Sequence, residues 1–166
     1  MRRPPGPRLP VAGWREWVAL PELHIRWIKA KVDTGARSST LHAVDVERFD
    51  RDGAPWVRFA VHPYQHDPRT TVRCEAPLVD ERRVRSSAGH EEHRPVVATQ
   101  LRIGASAYPI ELTLTNRDAM GFRMLLGRQA LRGRYVVDAG GSYLAAKRPP
   151  RAVRHRHRRR RKKKTT

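Results

Sequence analysis

Apolar and polar residues trade places in short runs along most of this chain, the two-residue period of half-buried strands. Gly13 to Leu20 alternates well enough for one strand, and Pro21-Glu22 marks a turn. His24 to Val32, rich in aromatic and β-branched residues, reads as a second strand, so the pair forms a hairpin that delivers Asp33 at its end. Ser38 to Val46 reads as a third, with Ser39, Leu41 and Ala43 on one face and Ser38, Thr40 and His42 on the other. A histidine placed like His42 fits a satisfied structural residue better than a functional one. The Asp52-Gly53 turn signal pairs residues 45–50 with 55–62, packing Trp56, Phe59 and Val61 on that hairpin. His62 to Pro68 is a loop, Thr70 to Ala76 a further strand, and Pro77 its expected end.

The next stretch, Val79 to Val97, is too charged for a core and reads as an exposed hairpin with Ser86-Ser87-Ala88-Gly89 at its tip, an arm or a lid over a site. Thr99 to Ile103 and Tyr108 to Thr115 form another hairpin around Gly104-Ala105-Ser106. After a loop at 116–121 come a short apolar strand, Phe122 to Leu126, and one short helix, Gly127 to Arg132, which Gly133 would stop. Tyr135-Val136-Val137 and Tyr143-Leu144-Ala145 finish the pattern. Many short strands with turn signals between them and one short helix predict an all-β fold, a closed or nearly closed barrel.

Composition divides the chain without changing that picture. Of the net charge of +19, the run from 147 to 166 supplies 12 Lys/Arg and no acid, while residues 9–146 hold 20 basic and 16 acidic side chains, a net of +4. We therefore expect a flexible arm at 1–12, one domain at 13–146, and a disordered basic tail at 147–166 that suits a salt-sensitive contact with ribosome, RNA or DNA phosphates, or serves only to solubilise. One cysteine, Cys74, permits no internal disulfide and fits a reducing compartment. No apolar run approaches the roughly 18 residues of a membrane span, and MRRPPGPRLPVAG lacks a signal-peptide core, so the expected location is cytoplasmic, with no membrane partner.

Candidate chemistry narrows quickly. His90-Glu91-Glu92-His93 resembles a zinc motif, but its histidines are three apart rather than four and in a hairpin would point to opposite faces. His62 and His66 sit in a proline-containing loop without a thiolate neighbour, and Cys74 has no paired base. No nucleophile-elbow, Walker or dinucleotide-binding pattern occurs. No metal and no cofactor are expected on these grounds.

What is left is Asp33. The turn Val32-Asp33-Thr34-Gly35-Ala36 closes a strand on an acid, and Leu125-Leu126-Gly127-Arg128 runs a later apolar strand into the short helix. With the intervening hairpins at 79–97 and 99–115, this order resembles the retropepsin-like aspartic peptidases. The segments 13–18, 30–43 and 116–131 are similar to the bacterial family labelled ATP-dependent zinc proteases, associated with ribosomal-protein glutamate ligases. The resemblance spans about 13–145. It implies a retropepsin-like (acid protease) barrel in which Asp33, Thr34 and Gly35 are catalytic, Ala36, Arg37, Arg85, Ser86, Ser87 and Gly89 bind substrate, and Gly127 and Arg128 support the site.

Two carboxylates a few Å apart share one proton, so one acts as base on a water while the other acts as acid toward a carbonyl. Only one Asp-Thr-Gly occurs here, so the resemblance implies a homodimer in which Asp33 faces its copy across a twofold axis. Retroviral members commonly carry an acid where this chain has Arg37, which deprives Arg128 of that partner. Arg37, Arg82, Arg83, Arg85 and Arg94 suggest a cleft for carboxylates, and the family association implies an acidic, glutamate-rich peptide or protein substrate. Against this stand ion pairing of those arginines with Glu81, Glu91 and Glu92, a non-catalytic binding module tethered by its tail, and, last, the metallopeptidase of the family label.

Overall fold

The structure, a computed structural model, describes residues 8–85, 88–116 and 121–156. Its strands are β1 (Val11–Gly13), β2 (Arg15–Leu20), β3 (Ile25–Asp33), β4 (Ser39–His42), β5 (Val44–Arg51), β6 (Ala54–Val61), β7 (Val72–Arg85), β8 (Glu91–Ile103), β9 (Ser106–Thr115), β10 (Met124–Gly127) and β11 (Val136–Asp138). Between them lie a 3-10 turn at Pro21–Leu23 and a short helix, α1 (Arg128–Leu131), and a second short helix, α2 (Arg151–Arg156), follows β11.

Six strands, in the order β2-β3-β10-β4-β9-β8, close into a barrel where Ala19 of β2 meets Arg102 of β8. Strands β7, β6 and β5 continue outward from β8, and β1 pairs in parallel with β11 beside the barrel. The alternation seen in the sequence fills the barrel: Val18, Leu20, Ile28, Ala30, Leu41, Leu101, Leu112, Leu114, Met124 and Leu126 are buried. Each large apolar side chain so placed contributes roughly 1.5–3 kcal/mol. The fold is the expected all-β barrel. No helix among the described residues is long and apolar enough to cross a membrane.

Strand limits departed from expectation: residues 13–20 split at Trp14 between β1 and β2, residues 91–103 run on as one strand, and three further places have a clear cause. Residues 38–46 do not make one strand; Asp45 takes a left-handed conformation and the β5–β6 register shifts between Val44 and Glu47, so the chain leaves the barrel at β4 and enters the outer hairpin at β5. Pro77 does not end its strand. It faces Trp56 in the last pair with β6, and Leu78 opens the pairing with β8, so the missing N–H falls where β7 changes partner. Residues 143–145 form no strand. The buried Glu16 carboxylate takes the N–H groups of Gly13, Leu144 and Ala145 at 2.7, 2.8 and 3.0 Å, doing for these segments what a ladder would do.

The Asp52-Gly53 turn has both residues in the left-handed region, the geometry of a tight hairpin. Within the tail, six residues form α2, with the Pro150 carbonyl accepting the N–H groups of Val153 and Arg154. Ser86, Ser87, the loop residues 117–120 and the tail from 157 onward lie outside the described residues.

Candidate active site

Asp33 ends β3, opposite Gly127 of β10 in a parallel pair that also sets Val32 against Leu126. The Asp33 carboxylate turns the chain behind it: Oδ1 accepts the N–H of Gly35 and of Ala36, each at 3.1 Å. That local pairing is an Asx turn, and it fixes the acid against its own backbone. A Cβ on Gly35 would sit 3.3 Å from Asp33 Oδ1, close enough to press on the carboxylate.

The turn is then clasped from the other side of the chain. The carbonyls of Ala36 and Arg37 accept the N–H groups of Arg128 and Gln129 at 2.7 and 3.1 Å, satisfying donors that the start of α1 would otherwise leave without partners. The Arg128 guanidinium donates to the Thr34 carbonyl at 2.9 Å. The arginine that lacks an acid at position 37 has therefore found a backbone oxygen of the turn itself. Gly127 donates its buried N–H to Ser39 Oγ at 3.0 Å, and a Cβ on Gly127 would run into the Ser38 backbone. Thus Asp33, Thr34, Gly35, Ala36, Arg37, Gly127 and Arg128 are brought together, with Thr34, Gly35 and Arg37 exposed.

The hairpin of β7 and β8 runs from the Leu78–Val97 pair out to Arg85–Glu91, with Gly89 in a left-handed conformation at the tip. Midway along it Arg82 donates to Ser38 Oγ, a tie between the hairpin and the segment just past the turn. Its other charges divide. Glu81 pairs with Arg48, Glu91 with Arg83 at 3.8 Å, and Glu92 with Arg94 at 3.1 Å. Arg37 and Arg85 make no ion pair among the described residues, and no hydrogen bond joins Arg85 or Gly89 to the Asp33 turn.

Sequence reasoning passed over a second set of cations. On β3, Lys29, Lys31 and Asp33 are alternate residues and share one face; Arg15 of β2 stands opposite Lys31, and Trp17 opposite Lys29. The period-two spacing in Lys29-Ala30-Lys31-Val32-Asp33 was the available signal.

Elsewhere, His42 is buried on β4. Among the described residues no three His, Cys, Asp or Glu side chains stand close enough to share a metal ion. Burial pushes the Cys74 thiol up to about 12, and its Sγ–H points to the Leu23 carbonyl at 3.4 Å, so no reactive thiolate forms near neutral pH.

Comparison with known proteins gave consistent matches. Residues 11–148 match the model of the RimB-like family, described as the retropepsin-like aspartic endopeptidase RimB. A protein of Desulfotalea psychrophila named probable alpha-L-glutamate ligase is 51% identical over 128 residues, which are 77% of this chain and 28% of that protein. One of the same name from Shewanella pealeana is 47% identical over 133 residues, 80% of this chain and 29% of its own length. The chain thus spans less than a third of these curated relatives. A Legionella pneumophila protein of unknown function has a solved structure that superposes with a TM-score of 0.66 at 29% identity, covering 81% of this chain and 96% of that one.

Proposed function

Because the chain belongs to the RimB-like family of retropepsin-like aspartic endopeptidases, we propose that it hydrolyses peptide bonds with a pair of Asp33 carboxylates, one from each copy of a homodimer. The carrying observation is the clasped turn: Asp33 Oδ1 is held by two N–H groups, while Oδ2 makes no hydrogen bond among the described residues. A second Asp33 brought to Oδ2 completes a dyad that shares one proton. The ionised carboxylate takes a proton from water as the water oxygen attacks the scissile carbonyl carbon. The protonated partner gives its proton to the carbonyl oxygen. Collapse of the tetrahedral intermediate breaks the C–N bond, and a proton passes to the leaving amine.

The substrate favoured by charge is an acidic chain. Arg37 and Arg85 are free of acids among the described residues, and Lys31, Lys29 and Arg15 share or face the strand side that carries Asp33. The printed name of the relatives, glutamate ligase, belongs to proteins of which this chain matches a minor part, and it agrees with a glutamate-rich substrate. The enzyme would act in the cytoplasm, with the run 147–166 able to add a salt-sensitive contact to ribosome or nucleic acid.

The test is hydrolysis of a glutamate-rich and a neutral peptide by wild type and Asp33→Asn. The reading expects faster cleavage of the acidic peptide and a loss of at least about a thousandfold in the variant. The variant should stay folded, because an asparagine oxygen accepts the same two N–H groups. Equal rates on both peptides would remove the acidic substrate; activity that survives in Asp33→Asn would remove the dyad.

A further inference from the structure

A cavity of about 410 Å³ opens beside the β2–β3 hairpin where α2 folds back toward it. Its lining is Arg15, Lys29, Arg148, Arg151, Arg154 and His155 around Trp17 and Tyr143, with no carboxylate. Arg151, Arg154 and His155 occupy one face of α2, at positions three and four apart. Burial and the neighbouring Arg15 hold Lys29 below the usual lysine range, as a cation crowded by cations should be.

The aromatic rings are already in use. Trp17 and Tyr143 stack on each other with centroids 5.9 Å apart, Lys29 lies 5.2 Å over Trp17, and Arg15 and Arg148 lie 5.0 and 5.5 Å over Tyr143. A nucleobase would have to displace these cations to stack, whereas a carboxylate needs only the charges. The cavity also continues the catalytic face. Lys29 is four residues before Asp33 on the same side of β3, about 13 Å along the strand, with Lys31 between them.

We infer that this cavity is an exosite for the acidic substrate itself, holding carboxylates of the chain remote from the bond that is cut. The inference rests on the peptidase reading above and adds a length requirement to it. An extended run of about three glutamates spans about 10 Å, short of the roughly 13 Å of strand from Asp33 to Lys29, whereas about ten span roughly 33 Å. The family match ends at residue 148, so Arg151, Arg154 and His155 lie outside it, and long-chain preference becomes a property of this chain's own extension.

The experiment measures binding of fluorescent triglutamate and decaglutamate to Asp33→Asn protein, with and without Arg151→Glu and Arg154→Glu together. These arginines are exposed, so the fold is not at stake. Decaglutamate affinity should fall by about tenfold or more, and triglutamate affinity by less than about twofold. Unchanged decaglutamate affinity overturns the exosite. So does an equal or greater loss for a single-stranded RNA of similar length, which would make the cavity a nucleic-acid seat. Hydrolysis of decaglutamate by protein carrying Asp33 is followed alongside. Absent hydrolysis with the selective loss removes the peptidase reading and leaves the cavity a binding site for acidic chains; hydrolysis without the loss keeps that reading and overturns the exosite.

Discussion

The Asp33 turn and the β7–β8 hairpin are built from opposite materials. At the turn, side chains serve the backbone: Asp33 takes the N–H groups of Gly35 and Ala36, Ser39 takes that of Gly127, and Arg128 reaches the Thr34 carbonyl. Along the hairpin, side chains mostly serve one another, in the exposed pair Arg83–Glu91 and in Arg94–Glu92, where only the glutamate is well exposed. Several short bonds to the main chain, the Gly127–Ser39 one buried, fix position because few alternative geometries satisfy them together. Exposed ion pairs contribute about 0–1 kcal/mol and rearrange at little cost. The turn therefore holds an acid still, whereas the hairpin's side chains can rearrange. Strand β7 crosses from one regime to the other: Cys74 and Ala76 are buried, while Arg83 and Arg85 are exposed.

Three substitutions probe that contrast. Gly127→Ala drives a methyl into the Ser38 backbone and should cost about 1–3 kcal/mol. In a chain of this size that is about 2–4 °C of Tm per kcal/mol, measured by thermal unfolding, and it should also lower activity by moving Asp33. A Tm equal to wild type would mean that the Ser38 backbone can yield and the turn is loosely held. Ser39→Ala strips the acceptor from a buried N–H and should cost about 1–2 kcal/mol, read from urea midpoints. Arg83→Ala, at an exposed pair in the hairpin, should stay within about 0.5 kcal/mol. If it destabilises as much as Ser39→Ala, the two regions do not differ in kind.

The barrel was legible because alternation is a local signal, and the strands came out close to where Val18, Leu41 and Leu112 placed them. What could not be read depended on contacts far apart in the chain. Glu16 looks like any polar residue in an alternating strand until Leu144 and Ala145 arrive at its carboxylate. Pro77 reads as a terminator because sequence does not show that β7 changes neighbours there. Asp33, Gly127 and Arg128 were singled out by their motif and the fold brings them together, whereas the acceptor of Arg128 could not be read, since it is a main-chain oxygen with no residue signature. Lys29 and Lys31 show their shared face in their spacing, but that Arg15 and Trp17 stand beside them depends on the β2–β3 register.

Whether Asp33 works in pairs across two chains is open to one decisive measurement. Wild-type and Asp33→Asn chains are unfolded together in equal amounts, refolded, and assayed on decaglutamate. If each site needs an Asp33 from both copies, only dimers of two wild-type chains cut, and activity falls to about a quarter of that of the same total wild-type protein. Activity of about half would mean that each chain carries a complete site, contradicting the shared dyad.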